Sequence, residues 1–230
     1  MDVLARLDEA RAEINVLEHP FYERWSAGEL SAGELARYAG EYRHAVAALA
    51  QASAAAAESA AAPAASPVAS AHRAGLARHA REEAAHVALW DQFERETAMR
   101  AGAGAHAHEL EPLAGTRECA QAWNAGEDLL EQLAVLYAIE ASQPEVSATK
   151  LAGLDEHYGF TREGPAAEYF RVHELRDVEH AREAGELITA LMAECGDGEA
   201  VAARMLARAR AALRGNWALL DGVEVLSEAA

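Results

Sequence analysis

Apolar residues recur at steps of three and four along most of the chain, and no segment alternates as a strand would. Residues 2–17 form a first amphipathic stretch, and Pro20 of the following HPFYERW can open a short helix. Ser31 and Glu34 have the spacing of a capping box at the head of a long helix. That helix runs through Tyr38, Tyr42 and the alanine-rich 45–62, and Pro63 and Pro67 end it. The next helix covers 70–100 and stops in AGAGAHAH, whose small residues read as a loop. Thr116 is placed to cap a short helix. A further helix spans 126–157 with Pro144 inside it, where the missing N–H kinks the helix and frees a carbonyl near Glu140. Helices over 165–194 and 198–221, separated by CGDG, complete the pattern. The reading is an all-α bundle of seven to eight helices, with 1–230 as a single domain because no linker, repeat or shift of composition divides it.

Composition supports helix and narrows the partners. Of the 230 residues 59 are Ala, which loses no side-chain entropy in a helix. The net charge of −18 leaves no basic face for nucleic acid or an anionic membrane. Cys119 and Cys195 are far apart, so neither a disulfide framework nor a zinc-ribbon spacing is expected. The first 19 residues lack an apolar leader core and no apolar run reaches 18 residues, so a cytoplasmic, membrane-free protein is expected. Among the 20 basic residues Lys150 is the only lysine. An amine differs from a guanidinium in that burial can neutralise it, making it available as nucleophile, base or amine donor.

Three of the apolar stripes turn polar in the middle. On 70–100 the stripe from Leu76 to Trp90 and Phe93 passes through His79, Glu83 and His86. After Gly126 it gives Leu129, Leu133, Leu136 and then Glu140, with Lys150, Leu151 and Leu154 beyond the kink. On 165–194 it gives Phe170, His173, Asp177 and His180 before Ala184, Leu187 and Leu191. A buried unpaired carboxylate costs several kcal/mol, so three such interruptions point to a shared site rather than to isolated core polar groups. His173 and His180 lie about 10 Å apart along an ideal helix, too far for one ion but suited to two. Glu83 and His86 form an ExxH pair on one face, Glu140 can bridge, and Glu82 and His79 compete with Glu83 as the ligand from their helix. Carboxylate and imidazole without thiolate suit iron or manganese. The alternative is a network of His and acid pairs in a leucine-poor core. Tyr22, Tyr38, Tyr42 and Tyr137, taken one by one, read as packing residues.

HPFYERW, LYAIEASQPEVSATK and YFRVHELRDVEHA, together with the polar seams, resemble the heme-oxygenase-like superfamily of PqqC, TenA and the dimetal oxidases over nearly the whole chain. Within it, Glu83, His86, Glu140, His173, Asp177 and His180 match the ligand positions of the dimetal oxidases, and the likeness is greatest to the CADD-like p-aminobenzoate synthases. That resemblance implies two transition-metal ions, Fe/Fe or Mn/Fe, with O2 and an external reductant as partners. It implies that Lys150 donates the amine and Tyr22 the ring in a self-sacrificing synthesis of a folate precursor. One departure stands out: the glutamate that the family carries seven residues before the histidine falls on His79. A conventional dimetal oxidase acting on an external amine, amino acid or fatty-acid-like small molecule is the runner-up. A metal-free PqqC/TenA-like protein is a further alternative, although Leu133 stands where TenA enzymes need a cysteine. An interaction protein that keeps the polar seams as relics is another, and a homodimer is the expected assembly.

Overall fold

Capping and proline chemistry set where the helices begin, and the computed structural model shows where this reading holds. It describes residues 2–102 and 111–228, so most of the AGAGAHAH loop lies outside the described residues. The helices are α1 (Val3–Glu13), α2 (Pro20–Ala27), α3 (Ala32–Ala61), α4 (Pro67–Arg100), α5 (Ala114–Trp123), α6 (Leu129–Glu140), α7 (Gln143–Glu156), α8 (Glu168–Met192) and α9 (Gly198–Glu228), with short 3-10 turns at Val16–Glu18 and Pro165–Ala167. No strand occurs among the described residues. The Ser31–Glu34 capping box is present, and the alanine-rich stretch continues as helix to Ala61.

Several boundaries differ from the expectation. The first helix ends at Glu13 rather than 17, because Ile14 leaves helical geometry and the Asn15 side chain caps the next turn through Leu17 N–H at 3.1 Å. Pro67 starts α4 instead of ending α3, with Ser66 as its cap. Thr116 lies inside α5 and does not cap it. Its hydroxyl and the Leu113 N–H both donate to the Glu41 carboxylate, so a side chain of α3 satisfies the start of α5. The predicted kink at Pro144 is a full break between α6 and α7. The Arg11 guanidinium fills it, donating to the Ala141 carbonyl at 2.7 Å and to Ser142 Oγ at 3.1 Å.

Small residues govern how the helices approach. Ala39, Ala45, Ala48, Ala52 and Ala56 of α3 are buried, and α3 packs along α4 and against α5 and α6. α7 packs on α8, and α6 lies against both α8 and α9. Two apolar clusters result. One is aromatic, built on Phe21, Tyr22, Trp25, Tyr38, Tyr42, Trp90 and Phe170. The other is aliphatic, built on Leu7, Leu76, Leu133, Leu187, Ile188 and Met205. α4 runs from Leu76 in the second to Trp90 in the first, and α8 from Phe170 in the first to Leu187 in the second. The polar positions of both helices fall in the layer between.

Candidate metal centre and lysine cage

That layer collects the predicted ligands. His79, Glu83, His86, Glu140, His173, Asp177 and His180 are all buried. Their donor atoms converge in two sets among the described residues: His79, Glu83, Glu140 and His180 in one, and Glu83, His86 and His173 in the other. Glu83 belongs to both. Its Oε1 lies 3.0 Å from His86 Nδ1 and 3.8 Å from both His79 Nε2 and His180 Nδ1, while Oε2 lies 3.8 Å from His173 Nε2. His79 and Glu83 therefore do not exclude one another; one turn apart on α4, both reach the cluster. Asp177 stands beside it, 3.2 Å from His180 Nδ1, but outside both converging sets.

The donors fit a metal better than they fit one another. His79 Nε2 and Glu140 Oε1 are 2.7 Å apart yet not aligned as a hydrogen bond. Both Glu140 oxygens, both Asp177 oxygens, His79 Nε2, His173 Nε2 and His180 Nδ1 are buried without a hydrogen-bond partner. So many orphaned acceptors and imidazole nitrogens facing one space are costly in a protein core and are what a cation would satisfy. Only histidines pair with the three carboxylates among the described residues.

The outer contacts aim these nitrogens. His173 Nδ1 bonds the Tyr169 carbonyl at 2.7 Å, leaving Nε2 for the centre. His180 Nε2 meets Glu82 at 3.0 Å, and Glu82 is in turn held by Arg176 at 2.7 Å, leaving Nδ1 inward. Burial would raise the Glu83 carboxyl, but the imidazoles of His173 and His86 hold it well below the usual carboxylate range. Burial would lower His79, but Glu140 reverses this and pushes it up to about 9. Glu140 itself is raised by its burial. The neighbouring acids thus carry different protonation tendencies, as functional clusters of carboxylates do.

Lys150 lies in an aromatic cage. Its Nζ sits 4.7 Å from the ring centre of Tyr42, 5.2 Å from Phe170, 5.3 Å from Tyr38, and 5.6 Å from both Tyr22 and Trp90. Burial lowers the amine to about 7. Trp90 meets Tyr169 edge-on at 4.8 Å, and Tyr169 stacks on His173 at 3.9 Å, so the cage adjoins the ligand cluster. Tyr22 is buried in the cage, whereas Tyr137 is half-buried at the periphery and bonds Asp8 at 2.9 Å. Sequence reasoning passed over Tyr169, Trp90 and Phe170 as parts of the site. Tyr169 carried one usable signal, lying one turn before His173.

Among known proteins, the 4-aminobenzoate synthase of Chlamydia muridarum is 31% identical over 201 residues, covering 86% of this chain and 82% of that protein. The 4-aminobenzoate synthase of Nitrosomonas europaea is 27% identical over 219 residues, covering 91% and 85%. In structure, a TenA homolog from Pseudomonas syringae superposes with a TM-score of 0.79 at 18% identity, covering 97% of this chain and 91% of that one. A heme-oxygenase-like domain from Shewanella denitrificans gives 0.72 at 17% identity, covering 98% and 90%. No described helix is long and apolar enough to cross a membrane. Residues 36–214 match the iron-containing redox enzymes, and with the heme-oxygenase-like fold and a buried His/Glu cluster at its centre, the chain belongs to that family.

Proposed function

We propose that the protein is a non-heme dimetal oxidase that forms 4-aminobenzoate from its own side chains, Lys150 giving the nitrogen and Tyr22 the ring. One observation carries this reading: the only lysine of the chain is buried in a cage of tyrosines beside the ligand cluster. The relatives named above as 4-aminobenzoate synthases support it. His79, Glu83, Glu140 and His180 would hold one ion, and Glu83, His86 and His173 the other, with Asp177 in reach of His180. When bound, iron with iron or with manganese supplies dioxygen activation, drawing on an external reductant.

The chain's own groups do the rest. Burial leaves a large neutral fraction of Lys150 at neutral pH, so its lone pair is available. The surrounding rings exclude water and hold the amine over π faces. A tyrosine becomes 4-aminobenzoate when its Cα–Cβ bond breaks to leave a glycine-like Cα, Cβ is oxidised to the carboxylate carbon, and the ring C–O is exchanged for C–N as the lysine Cε–N bond breaks to leave an aldehyde at Cε; two dioxygen molecules, with two electrons and two protons from the external reductant, balance the change and release two waters. Tyr42 lies nearer the amine than Tyr22 does, so both belong in the test.

The experiment is rescue of a 4-aminobenzoate auxotroph by the wild-type, Lys150→Arg, Tyr22→Phe and Tyr42→Phe genes, with mass analysis of each purified chain after oxygen exposure. The expected result is rescue and a shortened mass in the wild type, and loss of both in Lys150→Arg and Tyr22→Phe. Full rescue by Lys150→Arg, or turnover of an added small molecule by an unmodified chain, would establish a conventional oxidase with an external substrate instead.

A further inference from the structure

The ligand cluster has a closed side and an open side, besides a shallow surface groove that reaches His86 between Glu82, Leu175 and Arg176. On the closed side stands the aromatic cage. On the other, a cavity of about 270 Å³ runs between α4, α6 and α8 and reaches His79 and His180. Neither Lys150 nor Tyr22 lines it. We infer that this cavity is the access and holding chamber for dioxygen, a small uncharged apolar molecule, delivering it to the His79–His180 end of the cluster. The inference rests on the dioxygen-using reading above and adds the route.

Three features carry it. Beside the His79 and His180 rings the wall is made by the side chains of Leu76, Leu133, Leu136 and Leu187, apolar surface on which an apolar guest can rest. The charges at the rim are already paired: Arg78 Nη2 contacts Glu183 at 2.9 Å, and Arg182 contacts Glu186 at 2.5 Å. A charged ligand would have to break these pairs, whereas an uncharged one need not. The third feature is Gly75. Glycine inside a long helix costs roughly 0.5–1 kcal/mol relative to alanine, yet no neighbour demands it here. A Cβ at Gly75 would meet only Arg78 Nη2, at 3.9 Å. What the missing side chain provides is the open space of the cavity it lines.

The wall can be filled without replacing a ligand. Xenon, a dioxygen-sized apolar probe, should occupy the cavity in pressurised crystals of the metal-loaded wild type and be excluded from Gly75→Phe. In stopped flow, Gly75→Phe should slow the reaction of the reduced, metal-loaded protein with oxygen about tenfold, with metal content unchanged and the rate still rising with oxygen concentration. Gly75→Ala should stay near the wild-type rate. Should Gly75→Phe misfold, Ala184→Phe fills the same cavity from α8. Absence of xenon from the wild-type cavity would overturn the inference. So would a wild-type oxygen rate in a variant whose cavity is shown to be filled. Xenon uptake does not depend on metal, so a wild type that binds xenon but holds no metal would overturn the oxidase reading and the oxygen route with it, while a metal-loaded, oxygen-reactive protein without xenon would overturn the route alone.

Discussion

Lys150 is held where an ammonium ion is least stable. Its amine titrates near 7 against an ordinary 10.5, so between those values the unfolded chain binds a proton that the folded chain does not. The penalty is full at and below about pH 7 and fades as pH rises toward 10.5. Lys150→Met, similar in volume and uncharged, should therefore raise the melting temperature while abolishing product. The gain should be several degrees at pH 6.5 and much smaller at pH 9.5, which thermal scans of both proteins at the two pH values would show. Product formation should fall as pH drops below about 7, because the protonated amine has no lone pair to give. Glu83 is the other decisive side chain. Since it belongs to both converging sets, Glu83→Gln should lower metal content at both positions, whereas Asp177→Asn, outside both, should retain more. Metal per chain measured after identical loading separates the two, and equal losses would contradict a shared role for Glu83.

Between helices, close approach decides whether amine and ring meet. Gly153 of α7 faces Trp25 of α2, and a Cβ there would overlap the indole, whose Nε1 donates to the Lys150 carbonyl at 3.3 Å. Glycine at this position lets α2 carry Tyr22 against the helix that carries Lys150. Gly153→Ala should cost about 1–3 kcal/mol by denaturant unfolding and reduce product. Gly33→Ala in α3, where the nearest atom is Ser31 Oγ at 3.9 Å, should leave both within error or slightly raise stability. The break between α6 and α7 serves a related purpose. Pro144 removes a donor, Arg11 supplies another, and α7 restarts after a two-residue interruption with Val146, Lys150 and Leu154 buried.

The molecule as a whole carries a polar layer between two apolar clusters, and that layer is unstable by itself. Among the described residues Glu83, Glu140 and Asp177 have only histidines as ion-pair partners, so two divalent ions would replace an imperfect charge balance with direct ligation. Metal loading should raise the melting temperature and chelation should lower it, with reloading restoring it. A melting temperature indifferent to metal would argue that the histidines alone stabilise the layer. The net charge of −18 also leaves a protein whose surface repels polyanions and attracts cations.

The class of fold was readable from local chemistry. Proline stops, a capping box and steps of three and four need only neighbouring residues, and so do the interruptions at His79, Glu83, His86, Glu140, His173, Asp177 and His180. Where local signals competed, as at Thr116 and Pro67, contacts from Glu41 and Ser66 settled the boundaries. Other properties were decided only in three dimensions, because they depend on distances between helices remote in sequence. The sharing of Glu83 by two ligand sets depends on how α4 turns toward α6 and α8. The cage around Lys150 gathers rings from α2, α3, α4 and α8, and its burial is what moves the amine's proton affinity. The chamber at Gly75 is a space between helices, and sequence periodicity reports which face is buried but not where packing leaves a gap.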